Sequence, residues 1–182
     1  AYEQAIQKGS EQLISWTKKI APISIIDVFK RTEASEENRH FWTNSDRDFA
    51  LFGYGSLIEL VAENNRFETI KNKWNRLVEK TMIYNQYAEE GTGLTALGGM
   101  SFDPLAKKSE LWKNYPTAQL TIPKYVITFV NEQYFLTINQ RITSDDDVAS
   151  VMDEIERVEE SLLKGALYNE SDRQQITERI EK

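Results

Sequence analysis

Leu120-Thr121-Ile122-Pro123-Lys124-Tyr125-Val126-Ile127-Thr128-Phe129-Val130-Asn131-Glu132-Gln133-Tyr134-Phe135-Leu136-Thr137-Ile138-Asn139 is the stretch whose reading decides the fold class. β-Branched and aromatic side chains crowd both of its halves, the composition of strands. Asn131-Glu132-Gln133 is the polar break between them, so residues 120–130 and 134–139 are expected to form a hairpin and hence an antiparallel pair. Pro123 holds Ile122 extended and offers no N–H to a ladder, which marks an edge or a bulge.

Upstream, residues 95–102 read as another strand, with Gly98-Gly99 where side chains do not fit and Asp103-Pro104 turning the chain out. Residues 49–53 and 56–61 are strand material around Gly53-Tyr54-Gly55, a pattern that signals a bulge or a close backbone approach. Between these blocks, Phe67, Ile70, Trp74, Leu77, Val78 and Met82 recur at helical spacing and predict a helix over 66–84. Ile6, Leu13, Trp16 and Ile20 predict a first helix over 3–20, weakened at Gly9-Ser10. Residues 23–29 read as a strand, and 30–39 as a charged loop or short helix.

Downstream, Val148, Val151, Ile155, Val158 and Leu162 follow at spacings of 3, 4, 3 and 4. Burying each is worth roughly 1.5–3 kcal/mol, far above the few tenths that Val and Ile cost in helix propensity. A docked helix is therefore expected, with Ser144 as its cap and Asp145-Asp146-Asp147 complementing its dipole. Gly165 is expected to loosen its end, and residues 168–182 read as a linker or a helix leading onward. Helix, strands, helix, several strands, helix is the order of an α+β domain with a mainly antiparallel sheet flanked by helices.

Charge narrows the partners. Residues 143–182 hold 12 acidic and 5 basic side chains, a balance of −7 equal to that of the whole chain, so the other 142 residues balance to zero. No basic stripe is present, so neither nucleic acid nor a membrane surface is an expected partner. No apolar run approaches the roughly 20 residues that span a bilayer, and no secretory leader is recognisable. Cysteine is absent, which excludes a disulfide framework and thiol catalysis within these residues. The expected location is the cytoplasm.

The chemical motifs are weak. His40 is the only histidine, too few for a triad or a His-based metal site, and is expected to be exposed or hydrogen-bonded without a catalytic role. Gly91-Thr92-Gly93-Leu94-Thr95-Ala96 matches a dinucleotide fingerprint in spelling, but a helix is expected before it and a strand after it, the reverse of what phosphate binding needs. Ser161-Leu162-Leu163-Lys164 lacks the companion motifs of penicillin-recognising enzymes, and Leu162 belongs to the helix stripe. Asn169-Glu170-Ser171 is a sequon without meaning unless the chain is secreted. Asp145, Asp146 and Asp147 project about 100° apart on a helix and do not converge on one ion. Glu154, Glu156, Glu159 and Glu160 read as a solvated acidic face, or one that meets a basic partner. Phe41, Trp42, Phe49 and Phe52 read as core rather than a ligand platform. No catalytic, cofactor-binding or metal-binding residue is expected in this chain.

Several segments in order resemble the amino-terminal region of isochorismate synthases of the menaquinone and siderophore type, within the chorismate-utilising enzymes. They are Phe41-Trp42 before Asp46-Arg47-Asp48-Phe49, then Gly53-Tyr54-Gly55-Ser56, the Trp74 helix, and Leu97-Gly98-Gly99-Met100-Ser101-Phe102-Asp103-Pro104 with Trp112, Pro116 and Pro123. The resemblance covers residues 38–139. It implies that residues 1–182 are the amino-terminal domain of a longer enzyme that isomerises chorismate to isochorismate with Mg²⁺. The lysine, glutamate and metal carboxylates of that family lie in its other half, so none transfers to a position here. The implied partner is that catalytic domain, and the isolated chain is expected to be inactive and to self-associate. The Leu-Leu-Glu-Ser element of tryptophan-regulated anthranilate synthases is replaced by Phe41-Trp42-Thr43-Asn44-Ser45. The alternative is a stand-alone small-molecule-binding or regulatory domain related to the amino-terminal half of anthranilate synthase.

Overall fold

The computed structural model describes residues 11–103 and 109–164. Its strands are β1 (Gln12–Ile20), β2 (Arg39–Thr43), β3 (Phe49–Tyr54), β4 (Ile58–Ala62), β5 (Thr81–Tyr84), β6 (Leu97–Met100), β7 (Ala118–Ile122), β8 (Tyr125–Val130) and β9 (Gln133–Ile142). Its helices are α1 (Ile25–Arg31), followed by one 3₁₀ turn, α2 (Arg66–Lys80) and α3 (Val148–Leu163). The fold is α+β, as expected. Six strands form one sheet in the order β2-β3-β8-β9-β1-β5, and three form a second in the order β4-β7-β6. Every pairing is antiparallel except β1 with β5. Among the described residues no helix is long and apolar enough to cross a membrane.

The β8–β9 hairpin sits at the centre of the large sheet, with Val130 paired to Gln133. Asn131 and Glu132 both take positive φ, 50° and 59°, the two-residue turn whose twist matches the strands. Pro123 does more than mark an edge. The expected 120–130 strand breaks there, β7 entering the small sheet and β8 the large one. The side-chain amide of Asn139 donates to the Pro123 carbonyl at 2.8 Å and its N–H to the Lys124 carbonyl at 2.7 Å, tying the switch to β9. Gly53 is the close approach expected at the bend: a Cβ there would stand 2.6 Å from Pro123 Cγ.

Alternation along each strand gives the large sheet two faces. On one, α1 and α3 pack through Ile25, Val28 and Leu162 against Phe52, Ile127, Leu136 and Ile138. The opposite face carries the fully buried Ser15, Thr128, Thr137 and Asn139, with Leu51 and Phe135. The small sheet packs its apolar face, Leu60, Ala62, Ala118 and Ile122, under Ile70 and Trp74 of α2.

Four expectations need correction. The helix over 3–20 is strand β1 from Gln12 onward, residues 1–10 lying outside the described set. The strand over 23–29 is helix α1, because Ser24 accepts from the Asp27 N–H as an N-cap and Ile25 and Val28 reach the core together at helical spacing. The helix over 66–84 stops at Lys80, and Thr81–Tyr84 joins β1 as a parallel strand. The cap of α3 is Asp147, whose carboxylate accepts from the Ser150 N–H, and not Ser144. Gly165, the sequon and residues 168–182 lie outside the described residues.

Candidate functional site

A cavity of about 1060 Å³ opens beside the polar-lined face of the large sheet. Its floor is Phe49 and Leu51 of β3 with His40 and Trp42 of β2, one wall is Phe67, Lys71 and Trp74 of α2, and the other is the loop from Glu90 to Gly98.

Threonines hold that loop in place. Thr128 donates to the Gly91 carbonyl at 2.7 Å, and the Gly93 N–H donates to Thr17 and Thr137 Oγ1 at 3.1 and 3.3 Å. These bonds give the buried hydroxyls of Thr17, Thr128 and Thr137 backbone partners, while the Ser15 hydroxyl is buried without a hydrogen-bond partner among the described residues. Upstream, Asn85 donates to Thr92 at 2.9 Å and Asn131 to Glu89 at 2.7 Å. The Tyr87 ring lies 4.9 Å from that of Phe135. Gly91 has φ 74°, and a Cβ on it would meet the Phe49 ring at 2.8 Å. The loop thus reaches the cavity floor only with glycine there. The motif that spells a dinucleotide fingerprint is therefore a glycine-dependent wall of the cavity, lying between strands β5 and β6 with no helix after it.

The expected aromatic core divides. Phe52 is fully buried under α1, its ring edge-on to Phe29 at 6.1 Å. Its neighbours on β2 are not core: Phe41 is 39% and Trp42 51% exposed, with Trp42 edge-on to Phe49 at 5.5 Å. Strand alternation sends Phe52 to the helical face and Phe49 to the cavity. His40 is half-buried. Burial lowers its pKa below the ordinary value, partly opposed by the Glu59 carboxylate. Its Nε2 is buried without a hydrogen-bond partner among the described residues. It is neutral at neutral pH.

Lys71 and the aromatic faces of Phe67 and Trp74 in this cavity had no separate signal in the sequence, where the stripe of α2 read only as the apolar side of a helix. Only Ile70 of that helix is fully buried, and Phe67 is 66% exposed. A large apolar residue beside a lysine on an otherwise amphipathic helix was the one available hint. Chemically the cavity offers aromatic faces, the cations of Lys71 and Arg39, the Glu90 carboxylate and threonine hydroxyls, a lining of the kind that suits a planar polar molecule.

The remaining motifs stand apart from it. Ser161 and Lys164 lie at the end of α3, where Leu162 is buried in the core. Asp146 accepts from the N–H and hydroxyl of Thr143, and Asp147 caps α3. Glu159 pairs with Lys18, while Glu154, Glu156 and Glu160 are exposed. Among the described residues no three His, Asp or Glu side chains group as a metal site.

Comparison with known proteins agrees with the family resemblance read from the sequence. The chain is similar to isochorismate synthase MenF of Bacillus subtilis (strain 168), 24% identical over 164 residues, which cover 84% of this chain and 34% of that protein. The chain thus spans about a third of the length of the curated relative it matches. Over residues 1–182 it matches the chorismate binding enzyme family, and it belongs to that family.

Proposed function

We propose that this chain is the amino-terminal, non-catalytic part of an isochorismate synthase whose complete protein isomerises chorismate to isochorismate with Mg²⁺. The observation that carries the reading is the pairing of a family match over the whole chain with coverage of only a third of an isochorismate synthase. The isomerisation adds a hydroxyl at one ring carbon and expels one from another, so it needs a general base and a general acid set across the ring. The described residues do not fit the magnesium ion, since no three of their His, Asp or Glu side chains come together. Its ligands and the acid–base pair belong to a carboxyl-terminal catalytic domain, the partner of this one. Here the chain supplies scaffold, and Gly91, Lys71 and Trp74 shape a wall that the partner domain faces.

The test compares two products: the 182-residue chain, and the coding sequence carried past Lys182 into any following segment. The shorter product is expected to leave chorismate unchanged and the longer one to form isochorismate with Mg²⁺. Turnover by the short chain, or a different product from the long one, overturns the reading.

The cavity supports a second reading, a small-molecule-binding or regulatory domain. Its aromatic and cationic lining suits a planar carboxylate. A thermal-shift screen with chorismate, isochorismate and the aromatic amino acids decides it. Stabilisation of the isolated chain by several degrees favours a sensor, and no shift removes this reading.

A further inference from the structure

A smaller groove, of about 400 Å³, lies on the other face of the large sheet, away from the cavity. Trp16 of β1, Tyr84 of β5 and Ile142 of β9 make its floor, Val148 and Met152 of α3 make its wall, and Asp146 stands at its end. Three observations meet there. The apolar lining is open to solvent: Trp16 is 43%, Tyr84 51%, Val148 43% and Met152 47% exposed. Alongside runs the border of the sheet, since β5 pairs with β1 alone among the described strands. Among the described residues no strand pairs with its outer side, so its backbone N–H and C=O groups there are open to a further strand. The rim is acidic. Residues 143–164 carry eight acidic and two basic side chains, and Glu156 sits four residues on from Met152 on the same helix face. The nearby Lys18 is already held by Glu159.

We propose that the β5 edge and this groove form a docking site for an extended segment of another protein, with one apolar side chain flanked two residues away on each side by Lys or Arg. The segment adds to β5 through its backbone. Its apolar side chain enters beside Tyr84 and Met152, and its basic side chains, two residues off and so on the same face, reach Asp146 and Glu156. The charge of the rim favours such a segment over a second copy of this chain. Two-fold pairing of β5 with itself would set two acidic α3 helices on one face of the joined sheet, where like charges repel.

The probe is the blocked peptide Lys-Thr-Lys-Thr-Leu-Thr-Lys-Thr-Lys, titrated while the fluorescence of Trp16 in the groove is followed, with Trp16→Phe identifying the signal. Binding is expected to weaken by roughly tenfold or more when Glu replaces each Lys, or when salt is raised from low to high. The same loss is expected when proline replaces the central threonines, which removes the N–H groups that join β5. Met152→Lys and Glu156→Lys, both at exposed positions, are each expected to cause a similar loss, with circular dichroism confirming their fold. Equal binding of the Glu peptide, full affinity in both variants, or no signal at millimolar peptide overturns the proposal. Self-association that occupies the groove also overturns it, and appears as a concentration-dependent Trp16 signal without peptide.

Discussion

Two residues show how a local conflict is tolerated. Glu132 takes φ 59° in the β8–β9 turn, a conformation that costs an L residue roughly 1–2 kcal/mol and glycine little. Asn131 beside it suits the same region. Glu132→Gly is expected to raise stability by about 0.5–1 kcal/mol, once the extra freedom of glycine in the unfolded chain is set against the relieved strain. Urea unfolding measures it, and a loss of stability would contradict the turn assignment. His40 is the second case. Burial lowers its folded pKa, with Glu59 opposing, so below the ordinary histidine range the unfolded state binds the proton that the folded state refuses. Stability contributed by neutral His40 is present above pH 6.5, the unfolded value, and falls away as the pH drops toward the lowered folded value. His40→Gln is expected to flatten that part of the stability–pH profile, and an unchanged slope would show that another group sets it.

At the scale of elements, caps and strand partners decided what periodicity left open. Asp147 begins α3 with its carboxylate on Ser150, while Asp146 folds back onto Thr143. Asp147→Ala is therefore expected to cost about 1 kcal/mol and Ser144→Ala less than about 0.5 kcal/mol. Thermal or urea unfolding of the pair separates them, and the reverse order would restore Ser144 as the cap. The helix itself was legible because its apolar stripe is long and regular. Strand β1 was not. Its inward positions on one face are Leu13, Ser15 and Thr17, the two hydroxyl residues buried at 0% and 4% exposure, so its binary pattern inverts and a loose helical spacing took its place. The hydroxyl of Thr17 is buried at low cost because the Gly93 N–H, 76 residues away, donates to it. α1 was misread for a different reason. Its β-branched residues favour strand in isolation, but docking Ile25 and Val28 on the sheet outweighs a propensity difference of a few tenths of a kcal/mol.

For the molecule as a whole, several large apolar side chains stay uncovered. Phe102, Leu111, Trp112 and Tyr115 are all more than half exposed, and Trp112 and Tyr115 lean on each other at 5.3 Å. Patches of this kind drive association. The isolated chain is expected to self-associate through them at high concentration, and light scattering that finds a monomer there would count against it. Trp112→Ser with Tyr115→Ser is expected to shift the equilibrium toward monomer without loss of secondary structure, since both lie outside the two core clusters.

The sequence by itself determined the α+β class, the central hairpin, the docked carboxyl-terminal helix and the family, because each rests on short-range pattern or on the order of segments. Nothing in it announced the two-sheet division at Pro123, the parallel pairing of β5 with β1, or the cavity between Trp42, Trp74 and the Gly91 loop. Those depend on which face each strand turns toward its neighbours, and on partners more than 60 residues apart. An alternating strand records its two faces but not what will cover them. Only the packed chain settled that Phe52 is core while Phe49, three residues earlier, lines the cavity.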